Sequence, residues 1–499
     1  MSVPSRRQLP PLSKSRFLAG LQCPKRLYLD CYYPELADLV DRAQQVVFDT
    51  GNEIGELARD LYPGGLLLGG ERVRHDDAVR KTGKALSDPG VPAIYEAAFT
   101  FEDVRIRADV IVRAPGGVFD LVEVKSGTQV KEEHLWDVSI QQRVLEGCGI
   151  PIGRTCLAHL NKDYVYLEGD YDLRKLFRVD DVTDRVQPLH TEVLTALEAM
   201  RLMLRGAEPP DAKPGRQCSQ PHDCRFYGHC HANETEHPVL QLPGAGQELF
   251  DALGESGIGD IRAIPADFPG LNPLQQRVRN CVANNWMYLD RNLSKTLKAL
   301  EYPVHFLDFE TFNPALPLYA GTRPYQVVPF QWSSHTMSSD GGLRHDEFLH
   351  SGDVDPRENF ARSLLEALGE SGSIVVYSGF EETRIRELAT ALPPLADRLT
   401  ALVSGRMVDL LPLVRNHCYH PEFRGSFSLK SVLPALVPEL GYDDLEIRDG
   451  GQASVAYAEM IRSSCPPARR DLLRKSLLAY CERDTEAMVR LFMKLREGP

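Results

Sequence analysis

The alternation of apolar and polar positions changes period several times along the chain, and those changes mark out its parts. Residues 93–101, 104–113 and 118–125 have strand length and composition, with Pro115-Gly116-Gly117 turning between the last two. Helical spacing follows over residues 137–145, and a further strand spans 154–161. Gly and Pro then accumulate over residues 238–273, where Gly257-Ile258-Gly259 reads as a tight turn, and a polar helix carrying Arg277 and Arg279 runs toward Leu300. The second half opens with His305-Phe306-Leu307-Asp308-Phe309-Glu310-Thr311, an apolar run that predicts a buried strand. Strands at 330–337 and 345–349, a helix at 358–368, a short buried strand at 373–377 and an amphipathic helix over 478–489 complete the pattern.

A chain of 499 residues outgrows one core, so the pattern predicts an α/β multidomain protein with parts at 1–237, 238–301 and 302–499, the middle one a helical connector. Apolar and charged fractions of 43% and 25% are those of an ordinary globular chain. The formal net charge of -13 argues against a generally basic nucleic-acid coat, though not against an acidic site beside a local basic groove. Residues 1–16 are basic and rich in Pro and Ser without an apolar core, so a secretory signal or membrane span is not expected there, and a cytoplasmic protein with no membrane partner is. Eleven cysteines, an odd number scattered through helix and strand patterns, do not form a disulfide framework.

Asp308 and Glu310 stand two apart on the predicted strand and point the same way. Two such carboxylates are costly to bury unless a cation binds them, which predicts Mg²⁺ or Mn²⁺. Tyr480 and Asp484 share one face of the C-terminal helix, one turn apart. Together these sets resemble the first and third motifs of the DnaQ-like exonucleases, the DEDD group in its tyrosine-containing form. That family delivers an aspartate after an asparagine and an aromatic residue at the end of a strand. Here Ser378-Gly379-Phe380-Glu381 offers Glu381 at that place, with Glu382 as the neighbouring alternative. Serine for asparagine and glutamate for aspartate are two departures from the family. The resemblance implies a ribonuclease H-like fold in which Asp308, Glu310, Glu381 and Asp484 hold two cations and Tyr480 orients the attacking water for 3′–5′ hydrolysis. Asp409 reads as a cap and Lys430 as a phosphate contact, while Arg384, Arg386, Tyr319 and Tyr325 are candidates either for a strand channel or for a solvated surface.

In the first half Asp109 lies on the second predicted strand, and Glu123 and Lys125 face one side of the third. Adjacent hairpin strands can bring the three together. Two carboxylates then hold a divalent ion against a phosphate, and a lysine positions water and offsets developing charge. On an exposed strand the same Glu-x-Lys triplet is a solvated ion pair, so its meaning comes from context. The order helix, strand, strand with Asp109, strand with Glu123-Val124-Lys125, helix with Gln141, strand resembles the RecB-like branch of the PD-(D/E)xK nucleases. That resemblance makes Gln141 a site-supporting residue, with Gln142 one position off. The family's first-helix histidine is not evident, which leaves Glu53 or Glu56 for its place.

Cys218, Cys224 and Cys230 recur at even spacing in a Gly/Pro-containing loop, and the distant Cys23 is the natural fourth partner. The set resembles the iron–sulfur RecB-like nucleases, including AddB and the CRISPR-associated enzymes, in which such cysteines bind a 4Fe–4S cluster of structural role. Structural zinc is the alternative, with His222, His229 and His231 available to it.

The whole chain resembles a bacterial family, labelled by its C-terminal domain of unknown function, that fuses these two nuclease parts. The resemblance implies a metal-dependent nuclease acting on nucleic acid, DNA before RNA and single-stranded ends in particular, in repair, processing or defence. An RNA exonuclease and a catalytically weak nucleic-acid-binding scaffold are the alternatives. Protein partners are not specified by any of these motifs.

Overall fold

The computed structural model describes residues 9–40, 42–69 and 73–498, so the first eight residues of the basic N-terminal stretch lie outside the described residues. The chain parts into two compact units, Met1–Asn233 with Pro314–Gln326, and Glu234–Asn313 with Val327–Pro499. Each mixes helices with a sheet, which is the α/β multidomain architecture expected.

The first unit contains β1 (Leu12–Ser13), β2 (Leu66–Leu67), β3 (Ala93–Phe101), β4 (Val104–Arg113), β5 (Phe119–Lys125), β6 (Ile152–Leu160) and β7 (Phe177–Asp181). They run in the order β2-β3-β4-β5-β6-β7, with β1 parallel beside β4. β3, β4 and β5 form an antiparallel meander, whereas β6 lies parallel to β5 because the helix Glu132–Gly147 carries the chain back between them. The period of two on β5 gives it two buried faces: Leu121 packs with Val138 and Leu145 of that helix, and Val122 packs with Tyr95 and Val110 on the other side. Glu123 shares the face of Leu121 and is thereby aimed at the helix.

The second unit contains β8 (Tyr288–Leu289), β9 (Val304–Phe312), β10 (Val328–Met337), β11 (Leu343–Leu349), β12 (Ile374–Val376), β13 (Met407–Asp409) and β14 (Cys418–Tyr419). Its main sheet has the order β11-β10-β9-β12-β13, antiparallel from β9 to β11 and parallel from β9 to β13. β9 is central and covered on both faces. Phe306 meets Phe492 of the helix Pro467–Glu497 edge-on at 5.1 Å, while Leu307 and Phe309 pack with Phe360 and Leu364 of the helix Arg357–Leu368. Asp308 and Glu310 share the face of Phe306, toward the long helix.

Two expectations about domain boundaries change. Residues 238–301 are not a separate connector, because Leu253, Ile261, Val278 and Leu297 are buried in one core with Phe306 and Phe492. The polar helix expected there is two helices, Pro273–Asn284 and Arg291–Lys298, parted where Asn285 takes a left-handed conformation at φ 48°. The segment Pro314–Gln326, expected in the C-terminal part, belongs to the first unit: the Thr322 carbonyl accepts from the Tyr166 N–H at 2.9 Å, and the Pro317 carbonyl accepts from the Tyr171 hydroxyl at 3.1 Å. Backbone pairing of this kind leaves no trace in hydrophobic periodicity.

Leu253→Ala in the full chain is expected to cost about 2–5 kcal/mol, as for a core leucine, and to lower the denaturation midpoint of the second unit. A leucine in a true linker would cost within about 0.5 kcal/mol, so the measured midpoint separates the two descriptions.

Candidate active sites and cysteine centre

In the second unit three elements deliver carboxylates to one place. β9 supplies Asp308 and Glu310, the first turn of the helix Phe380–Ala391 supplies Glu381, and the helix Pro467–Glu497 supplies Asp484. Glu310, Glu381 and Asp484 are buried, at 5%, 4% and 6% exposure. Burial pushes Asp308, Glu310 and Asp484 above the usual carboxylate range, and Asp484 adds like-charge repulsion to the first two. Burial likewise pushes Glu381 up to about 8. One Glu381 oxygen, Oε2, has no hydrogen-bond partner although the side chain is buried, and the carboxylate accepts from the Phe309 backbone N–H. Glu382 points elsewhere, in an ion pair with Arg386 at 2.6 Å.

The backbone just before Glu381 is strained. Ser378 adopts φ 136°, a conformation that non-glycine residues rarely hold.

Tyr480 is buried beside Asp484, to which its hydroxyl donates, and the same oxygen accepts from Lys430 Nζ at 2.8 Å. Lys430 also donates to the Arg448 carbonyl at 2.6 Å. Two residues that sequence reading did not assign complete the site. The Tyr442 hydroxyl donates to Asp484 Oδ1 at 2.5 Å, and the buried Cys481 thiol lies 3.7 Å from Asp308 Oδ2. Ligand atoms of Asp308, Glu310 and Cys481 all lie within 4.8 Å of one another. Cys481 was visible as the neighbour of Tyr480; no spacing signal pointed to Tyr442. Asp409 caps the helix Leu410–His417 by accepting from the Leu411 N–H at 2.8 Å. Arg384 and Arg386 pair with Glu387 and Glu382 at 2.9 and 2.6 Å in the second unit, whereas Tyr319, which is buried, and Tyr325, which bonds Ser126, belong to the first.

In the first unit Glu123 is the hub. Its Oε1 accepts from Lys14 Nζ at 2.6 Å and from Lys125 Nζ at 2.8 Å, and its Oε2 accepts from Gln141 Nε2 at 2.8 Å. Gln141 and Lys125 both reach Asp137 as well, at 3.0 and 2.5 Å. Asp109 accepts from the Val124 N–H at 2.8 Å. Burial would raise the Glu123 carboxyl, but Lys125 and Lys14 outweigh it and hold the group well below the usual range. Burial and the charge of Glu123 push Asp109 up to about 7. Gln142 serves the fold instead, accepting from Thr155 at 2.8 Å and donating to Glu146 at 2.7 Å. Glu56 lines the cleft above the acids, whereas Glu53 lies by Tyr171. Asp137 was legible as the residue one turn before Gln141; Lys14, 109 residues from Glu123 in sequence, was not.

All four cysteines line one small cavity with Leu29 and Phe226. Cys23 sits in extended conformation between the helices Lys14–Gln22 and Pro24–Tyr32, and the Cys224 N–H donates to the Cys218 carbonyl at 2.8 Å. Gln22 Nε2 donates to the carbonyls of Gln217 and His222, at 2.6 and 2.7 Å, and so ties the two stretches together. His222, His229 and His231 do not line the cavity.

Residues 305–428 match the model of a domain of unknown function, DUF2779, a span that includes Asp308, Glu310 and Glu381 but ends before Tyr480 and Asp484. No curated protein matches the chain. Among solved structures it is distantly similar to the crystal structure of SSO0001, at 16% identity over 46% of this chain and 89% of that one, with a TM-score of 0.25. It is also distantly similar to the family B DNA polymerase from the hyperthermophilic archaeon Pyrobaculum calidifontis, at 19% identity over 39% of this chain and 26% of that one, with a TM-score of 0.26. Likenesses at this level establish no shared fold.

The raised carboxyls make the metal-free protein sensitive to base. In the unfolded chain they ionise near about 4, whereas the folded site keeps its protons to higher pH, so folding stability falls as pH rises through that window toward the Glu381 value of about 8. Thermal unfolding in chelator should give a midpoint that drops from about pH 5 to about pH 8. Mg²⁺ or Mn²⁺ should restore it at the higher pH, and Asp308→Asn should raise the metal-free midpoint there while removing the metal response.

Proposed function

We propose that the protein is a metal-dependent nuclease with two hydrolytic sites: a ribonuclease H-like, DnaQ-type 3′–5′ exonuclease site in the second unit and a RecB-like PD-(D/E)xK site in the first. The observation that carries this reading is the convergence of Asp308, Glu310, Glu381 and Asp484 from three elements into one buried site beside Tyr480. The sheet order β11-β10-β9-β12-β13, with the acids on its central strand, supports a ribonuclease H-like assignment. The meander carrying Asp109, Glu123 and Lys125, followed by a helix carrying Gln141 and a parallel strand, supports the PD-(D/E)xK assignment.

The donor set fits hard divalent cations. It is rich in carboxylate oxygen, and Glu381 Oε2 is a buried acceptor left open. Mg²⁺ or Mn²⁺ held by Asp308, Glu310, Glu381 and Asp484 supplies Lewis-acid stabilisation of charge on a phosphate. Tyr480, with its oxygen held by Lys430, orients the water that attacks phosphorus, and Tyr442 fixes the Asp484 carboxylate. In the first unit Asp109 and Glu123 are the metal ligands, Lys125 offsets charge that develops on the phosphate, and Gln141 and Asp137 hold Glu123 and Lys125 in place.

The cysteines fit a 4Fe–4S cluster of structural role. Four thiols around one cavity also suit structural zinc, which is the alternative. A cluster held there would join the helices around Cys23 to a loop some 200 residues further along the chain.

The substrate we favour is DNA with single-stranded ends; RNA is the alternative that the same chemistry allows. Anaerobically purified protein given end-labelled single-stranded DNA and RNA with Mg²⁺ or Mn²⁺ should release two product patterns. Glu123→Ala should remove one and Asp308→Ala the other, each by at least about a hundredfold, the scale of losing a preorganised charge-stabilising group. Cleavage that survives the double variant would sink the reading.

Cys224→Ser should lower iron per chain and the visible charge-transfer absorption. Zinc in place of iron in the wild-type protein would overturn the cluster assignment.

A further inference from the structure

One wall of the Asp109–Glu123 cleft is a single face of the helix Arg42–Ala58. Phe48, Gly51, Asn52, Gly55 and Glu56 recur at helical spacing along it and line a cleft of about 890 Å³ whose floor carries the acids and Lys125. The C-terminal half of the helix is anchored, because Ile54 and Ala58 are fully buried and pack with Val124, the residue between Glu123 and Lys125. Nearer the N-terminus the same helix leaves Val47 and Phe48 exposed. Phe48 is 56% exposed, and Leu67 of β2, which lines the same cleft, is 49% exposed.

Exposed apolar side chains, Val47, Phe48 and Leu67, in a cleft that also carries Lys14, Arg59, Arg107 and Lys125 beside its acids call for a ligand with both an apolar face and negative charge. A nucleic-acid strand with unstacked bases has both, whereas a duplex keeps its base faces hidden in the stack. Between Phe48 and Glu56 the wall is open, since a Cβ on Gly51 or Gly55 would meet nothing within 4 Å. A sugar–phosphate backbone can therefore run close along the helix, with Lys14 and Lys125 at the acid end and a base lying on Phe48 two turns away. On this geometry we propose that Phe48 is a stacking platform that favours entry of a single-stranded end to the Asp109–Glu123–Lys125 site and offers a paired end no such stack. The inference rests on the nuclease reading of that site and adds the residue that selects strandedness.

The full chain, metal-free, is irradiated with single-stranded DNA carrying 5-iodouracil and the adduct is mapped by peptide mass spectrometry. The same single-strand and blunt-duplex substrates are then assayed in the Asp308→Ala background, where only Glu123-dependent products remain. The adduct is expected on Phe48. Phe48→Ala is expected to remove it and to raise KM for single-stranded DNA about tenfold, the equivalent of one base stack, with kcat and the duplex KM unchanged; Phe48→Trp restores both readouts. Glu123-dependent cleavage with an unaltered KM in Phe48→Ala, or an adduct mapped away from this helix, overturns the platform and leaves the nuclease reading standing. An adduct on Phe48 without any Glu123-dependent cleavage supports the platform and overturns the reading of the site as hydrolytic.

Discussion

Like charges gathered out of water are the constraint around which the second unit is built. Asp308, Glu310, Glu381 and Asp484 lose hydration and repel one another, which is why each keeps its proton to higher pH than an exposed acid would. The surrounding structure has to over-determine their positions. β9 is packed on both faces, and the helix Pro467–Glu497 holds Asp484 in place through buried Leu477, Met488 and Phe492 on either side of it. Apolar packing thus supports a site that is unfavourable by itself, the pattern expected where perturbed groups serve a ligand.

The first unit meets the same difficulty with internal cations. Glu123 is as buried as the acids of the second unit, yet its carboxyl is held low because Lys14 and Lys125 both reach one of its oxygens. Among the described residues no lysine is hydrogen-bonded to Asp109, and burial and the charge of Glu123 push it the other way, to about 7. The two acids of one cleft are therefore shifted in opposite directions by their neighbours, and a divalent ion binding between them would compete with ammonium groups already in place. In the second unit Lys430 reaches the site, and it bonds a tyrosine rather than an acid.

Tertiary closure in the first unit depends on contacts far apart in sequence. Gln22 grips two carbonyls beside the cysteine loop, and Cys23 shares a cavity with Cys218, Cys224 and Cys230. The helix Lys14–Gln22, which ends at this centre, also carries Lys14 to Glu123. Cysteine centre and acid site are therefore linked through one short helix.

Local periodicity determined a good deal of this protein. The strands 93–101 and 104–113 appear as read, and the two-residue repeat on β5 and β9 was enough to put Glu123 with Lys125 and Asp308 with Glu310 on shared faces, because strand geometry allows nothing else. The helical repeat did the same for Tyr480 with Asp484 and for Gln141 with Asp137. Tertiary structure alone decided the rest. It chose Gln141 over Gln142 and Glu381 over Glu382, since neighbours on a helix differ in direction and only packing says which direction is inward. It brought in Lys14, Tyr442 and the Pro314–Gln326 segment, and it absorbed the supposed connector into a core. Periodicity reports which face of an element is buried, and it carries no information about which distant element will bury it.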